Sequence, residues 1–186
     1  SSTILESNRE NTVIDITRVE AGKLMTQAEV YAANVNSTVG ITTSITTNYW
    51  GYQTTSAASG SGFILTEDGY VVTNYHVVEA AEELTVQFCD GEQVAAQQKG
   101  ADADKDLAVI AVQLEDILED TKAAISIATL GDSNELIVGE PVIAIGNALG
   151  YGQSVTTGII SAVNRSITMK SSDGKSVVTN SFIQTD

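Results

Sequence analysis

The sequence predicts an all-β fold, and three observations carry that prediction. Short apolar runs, alternating or rich in β-branched residues, recur from residue 38 to residue 186. Turns containing glycine and aspartate separate them. No long amphipathic helices alternate with them, which disfavours a doubly wound α/β arrangement. Many short strands with regular turns are the pattern of sandwiches and barrels.

The elements follow in order. Residues 1–21 are polar apart from the alternating patch TVIDITRVE, and read as an arm whose extended segment needs a partner surface. In LMTQAEVYAANV, Thr26 and Glu29 have capping-box spacing, and Met25 and Val30 fit a hydrophobic staple around it. A short helix ending near Asn34 or Asn36 is expected. TVGITTSITT begins the strands. GSGFILTEDGYVVTNYHVV reads as two strands joined by the turn EDG, with His76 at the end of the second. LTVQFCDGEQVAAQQKGAD repeats the arrangement around the turn DG. KDLAVIAVQ is a continuous apolar run of strand length, and VGEPVIAIGN, SVTTGIISAVNRSITM and SVVTNSFIQTD continue the series. LEDILEDTKAAISIATLGDSNEL is a polar connector, and KSSDGK a loop or hairpin tip. The connector near residues 113–130 is the expected boundary between two β modules. The first, with the helix, takes residues 22–118, and the second takes residues 119–186.

Charge excludes some partners. Nine Lys and Arg stand against 24 Asp and Glu, a net charge of −15. Such a surface repels phosphate backbones and anionic lipid, so neither nucleic acid nor a membrane surface is an expected partner. No apolar run reaches 18 residues, so no membrane-spanning helix is expected. No basic stretch followed by an apolar one opens the chain, so no signal peptide is visible after its abrupt start at Ser1. Cys89 is the lone cysteine; it reads as a half-buried small apolar residue ahead of a turn.

Most motifs with a chemical reading fall away. GNALGYG places glycines at 146, 150 and 152, but a strand follows where a dinucleotide cradle needs a helix. It reads as a shaped loop. DADKD resembles the start of a calcium loop, yet position six is Leu107 and position twelve is Gln113, where glycine and glutamate are required. A calcium-dependent adhesive domain falls with it. No Cys/His set matches zinc.

His76, the only histidine, and Asp106, at the start of LAVIAV, remain. A neutral imidazole takes a proton from a serine hydroxyl through one ring nitrogen when a carboxylate holds the other. Its unperturbed pKa near neutrality suits that task. From the residues alone a half-buried histidine and an ordinary strand-start aspartate stay open beside a His–Asp pair.

Four collinear blocks carry a family resemblance over about residues 38–186. GSGFILTEDGYVVTNYHVV resembles the stretch around the catalytic histidine of the HtrA/Deg trypsin-like serine proteases. DADKDLAVIAV resembles their aspartate segment, LGDSNELIVGEPVIAIGNALGYGQSVTTGIISAVNRS their next block, and FIQTD the lead-in to their nucleophile. The resemblance implies a chymotrypsin-like fold of two antiparallel β-barrels with the site between them. It implies His76 as general base and Asp106 as its orienting carboxylate. It further implies unfolded polypeptides as substrates, no metal or organic cofactor, and an extracytoplasmic location, secreted or anchored at the outer face of a bacterial membrane. The family often adds a carboxy-terminal PDZ module and forms trimers through amino-terminal segments, to which residues 1–37 would contribute. The loops at 146–154 and 164–180 match positions that shape its active site.

The chain departs from the family at the nucleophile, which lies in a G-N-S-G-G motif shortly after the QTD equivalent. None of the serines after Asp106, from Ser126 to Ser181, lies in a glycine-flanked turn that would expose its hydroxyl and aim backbone N–H groups at an oxyanion. The serine is therefore expected just beyond Asp186, with the second barrel incomplete in this chain, which is expected to be inactive alone. The alternative is a non-catalytic peptide-binding or scaffold module that keeps the protease fold.

Overall fold

Alternating burial shapes the first half of the chain. In the computed structural model the described residues are 25–50, 52–146, 153–170 and 177–186. Six strands, β1 (Thr38–Tyr49), β2 (Tyr52–Ile64), β3 (Tyr70–Thr73), β4 (Glu83–Gln87), β5 (Gln93–Asp102) and β6 (Leu107–Val112), close into an antiparallel barrel in the order β1-β2-β3-β6-β5-β4. Val39 and Ile41 point inward from β1, Val71 from β3, Leu84 and Val86 from β4, and Ala108, Ile110 and Val112 from β6. Full burial of each larger apolar side chain contributes about 1.5–3 kcal/mol, and closure leaves the barrel no open edge.

Two glycines permit the closure. A Cβ on Gly62 would lie 2.7 Å from the Val72 carbonyl oxygen and 2.9 Å from the Ile41 Cδ1 atom, so β2 approaches β3 only without a side chain there. Gly69, in the turn before β3, has φ +92, and a Cβ would lie 2.7 Å from the Val112 carbonyl oxygen. The Gly69 carbonyl in turn accepts the Val112 N–H at 3.0 Å.

The helix α1 (Gln27–Asn34) starts as its sequence dictates. Thr26 and Glu29 form the full capping box, and a 3₁₀ turn at Val35–Ser37 leads into β1. After β6 the connector is more ordered than its polar sequence suggests. It holds a 3₁₀ turn at Leu114–Asp116 and the helix α3 (Glu119–Ala124), while Ile117 joins the barrel core. Its later backbone is laced to the barrel: Ser126 N–H donates to the Asn36 carbonyl at 3.1 Å, and Ala128 N–H to the Ile64 carbonyl at 2.9 Å. Strands β7 (Pro141–Gly146), β8 (Ser154–Lys170) and β9 (Val177–Thr185) then make an open antiparallel sheet, with register shifts in β8 around Ala162. The expected all-β fold, with a short amino-terminal helix and a complete first barrel, is the fold observed.

One local expectation is corrected. YHVV does not prolong β3; residues Tyr75–Val78 form the one-turn helix α2. Pairing of β3 with β6 stops at Thr73, and the helical turn buries Val78 in the core and packs Val77 against it. Tertiary packing overrides the strand preference of β-branched residues. The arm at 1–21, the tip KSSDGK beyond Lys170, and Gly150 and Gly152 lie outside the described residues.

Candidate active site

Barrel register brings together two residues far apart in sequence. Antiparallel pairing of β3 with β6 sets Thr73 against Ala108, so the residues leaving β3 lie beside those entering β6. His76, in α2, leaves one strand; Asp106, in the turn before β6, enters the other. His76 Nδ1 lies 2.8 Å from Asp106 Oδ2, and the His76 backbone N–H donates to Asp106 Oδ1 at 2.9 Å. Both carboxylate oxygens are thus engaged by one residue, which orients the carboxylate toward the ring nitrogen.

Asp106 adopts φ +54. Left-handed backbone costs a non-glycine residue roughly 1–2 kcal/mol. It is held there by the two bonds from His76 and by Asn74, whose Nδ2 donates to the Asp106 carbonyl at 2.9 Å. Sequence reading passed over Asn74; its signal is an asparagine two residues ahead of the lone histidine, at the start of a turn. Beside the pair lies a recess of about 290 Å³, with Ser61, Phe63, Thr73, Asn74 and Leu107 among its lining residues. A larger recess of about 350 Å³ opens at the other end of β3 and β6, between the barrel and the connector, lined by Phe88, Ile117 and Ile125 among others. It is the wrong place for chemistry at His76.

The electrostatics suit an ionised carboxylate. Partial burial of Asp106 works to raise its pKa and is the largest single influence, but the backbone and side-chain hydrogen bonds from His76, with the attraction of the imidazole, outweigh it, and the pKa lies below the ordinary value. Because the carboxylate accepts from Nδ1, that nitrogen carries the proton in the neutral ring, and Nε2 presents a lone pair. Such a ring can accept a proton from a hydroxyl and stay oriented as it becomes cationic. The pair is open to solvent, with side-chain exposures of 66% for His76 and 46% for Asp106.

Asp102 gives its carboxylate to Lys105, with Oδ2 at 3.0 Å from Nζ and Oδ1 accepting the Lys105 N–H at 3.1 Å. Partial burial, followed by the neighbouring Asp90 carboxylate, pushes the Cys89 thiol up, which opposes a reactive thiolate.

Comparison with known proteins gives the family of the fold. The family model for the trypsin-like peptidase domain matches residues 60–186, a span that includes His76 and Asp106. Among curated proteins, the chain is 47% identical over 108 residues to a probable periplasmic serine endoprotease, DegP-like, of Halomonas elongata, covering 58% of this chain and 21% of that protein. It is 44% identical over 113 residues to the protein so named from Chlamydia trachomatis, covering 61% of this chain and 21% of that one. Among solved structures, the HtrA-type protease AlgW with decapeptide superposes with a TM-score of 0.62 at 29% identity, over 76% of this chain and 47% of that one. AlgW with tripeptide gives 0.61 at 31% identity, over 76% and 41%. The chain therefore spans about a fifth of the curated relatives it matches and less than half of these structures.

Proposed function

Because this chain belongs to the trypsin-like peptidase domain family, on its HtrA/Deg branch, we propose that the protein containing it is a serine endopeptidase that cleaves unfolded or misfolded polypeptides. The observation that carries the reading is the double engagement of Asp106 by His76, at 2.8 Å to the ring and 2.9 Å to the backbone, at one end of a closed barrel. His76 acts as general base toward a serine hydroxyl and then as general acid toward the leaving amine; Asp106 holds the ring and stabilises its cationic form. The serine follows Asp186 in the protein, and with it the rest of a second barrel that begins after residue 118 and is built on β7, β8 and β9. The reaction is acyl transfer to serine followed by hydrolysis of the acyl-enzyme. The relatives are named as periplasmic, which supports an extracytoplasmic site of action. A PDZ module and assembly into trimers, with residues 1–37 at the interface, complete the reading.

The test is cleavage of one polypeptide offered to the full-length protein in folded form and in chemically unfolded form. Cleavage of the unfolded form, lost in His76→Ala, is the expected result. Binding of the unfolded polypeptide without cleavage would contradict the reading and favour a non-catalytic peptide-binding module.

A further inference from the structure

We propose that Asn74 is a positioning residue for the His76–Asp106 pair, acting by holding the Asp106 backbone in its left-handed conformation. The inference rests on the reading of that pair as the proton-handling unit. Asn74 stands at the N-cap of α2 with extended backbone, φ −83 and ψ 147. An asparagine there ordinarily turns its side-chain oxygen onto an N–H of its own helix, at the second or third helical position. Asn74 makes no such bond. Its amide instead crosses 32 residues of sequence to the Asp106 carbonyl, with Nδ2 donating at 2.9 Å.

The group an N-cap would normally satisfy is taken from the other side. His76 is the second residue of α2, and its N–H goes to Asp106 Oδ1 at 2.9 Å. The two residues have therefore exchanged tasks: Asp106 caps the helix that carries the histidine, and the cap residue restrains Asp106. Asp106 sits at φ +54, and its own N–H reaches the Ala103 carbonyl only at 3.4 Å. The Asn74 amide is thus the short bond on the Asp106 main chain. Without it Asp106 can relax to right-handed backbone, which swings its carboxylate away from Nδ1 and releases the ring. Displacement of a reacting group by about 1 Å costs on the order of a hundredfold in rate.

The experiment uses the full-length protein with a peptide substrate and compares Asn74→Ala with Asn74→Asp. The second keeps the side-chain shape but offers the Asp106 carbonyl an acceptor instead of a donor. Turnover, KM and melting temperature are measured together with the proton resonance of His76 Nδ1–H, assigned by its disappearance in His76→Ala. The expected result for both variants is a fall in kcat of about tenfold to a hundredfold. KM should stay within about twofold, the melting temperature should hold, and the Nδ1–H resonance should broaden as its bond to Asp106 loosens. Unchanged kcat overturns the inference. So does a loss of rate that tracks a raised KM and a lowered melting temperature, because that marks a merely structural role. If His76→Ala and Asp106→Asn themselves keep full turnover, the reading of the pair fails and carries the inference down with it. If they lose turnover while both Asn74 variants keep it, the inference alone fails.

Discussion

The closed barrel and the open sheet are built from the same kind of strand and behave differently. Among the described residues, the buried apolar side chains lie between Val39 and Ile117, with Ile160 as the exception in the second module. On β8 and β9, Val155, Ile159 and Ile183 are 44–47% exposed. The barrel closes on itself and buries alternate residues without outside help. Within these 186 residues the sheet β7-β8-β9 has edges and leaves apolar side chains exposed. The His76–Asp106 pair is hung on the rigid module, where register alone places α2 against the turn before β6. A site that must hold geometry to a fraction of an ångström belongs on such a scaffold.

The largest expected effect lies at the pair itself. Asp106→Asn in the full-length protein should lower kcat by about four orders of magnitude, the scale seen when the orienting carboxylate of such a triad is replaced by an amide. Steady-state hydrolysis of a peptide substrate measures it; a loss below tenfold would detach Asp106 from the proposed role.

The next effect separates the two modules. In residues 1–186 taken alone, Ile110→Ala, at a fully buried barrel position, should cost about 2–5 kcal/mol, whereas Ile159→Ala, 44% exposed on β8, should cost less than about 1 kcal/mol. Urea unfolding of the two variants makes the comparison, and equal costs would erase the distinction between barrel and sheet.

Glycines sharpen it further. Gly69 and Gly139 have nearly the same backbone, φ +92 and +94, but a Cβ at Gly69 meets the Val112 carbonyl oxygen at 2.7 Å while one at Gly139 meets nothing within 4 Å. Gly139→Ala should cost only backbone strain, on the order of 1 kcal/mol; Gly69→Ala should cost distinctly more, as read by the urea midpoint.

How far the sequence revealed this molecule depends on where its signals were local. Apolar runs and turn residues placed β3 to β6 well, because each strand sends side chains into the barrel core and the turns before β3 and β5 contain Gly69 and Gly91. The first half of β2 escaped notice. Its residues from Tyr52 to Ser59 are polar or small and pair with β1 in a long hairpin, and those whose burial is described are exposed. The helix α2 was hidden by valines that look like strand, since the deciding contacts of Val77 and Val78 lie with the core. The connector concealed α3, whose buried residue is Thr121, a polar side chain that donates to the Asp90 carboxylate. His76 and Asp106 stood out singly, one as the sole histidine and the other as a carboxylate ahead of an apolar run. Their meeting required the β3–β6 register, which no single segment encodes. Asn74 offered only its place two residues ahead of the lone histidine, because its partner is 32 residues away.

The smallest effect is the response to acid. The Asp106 pKa is lowered in the folded protein, so its contribution is fully present above the unfolded-state value and is lost as pH falls through the lowered folded value. The stability difference between the wild-type protein and Asp106→Asn should therefore shrink as pH falls through that window, measured as urea midpoints from neutral to acid pH. A difference that stays constant would mean that the bonds from His76 do not favour the ionised carboxylate.

The most direct test of the central claim is covalent labelling of the full-length protein with a fluorophosphonate probe, which reports a serine made nucleophilic by its base. The wild-type protein should label rapidly and His76→Ala should not label under the same conditions. Undiminished labelling of His76→Ala would show that the lone imidazole activates nothing.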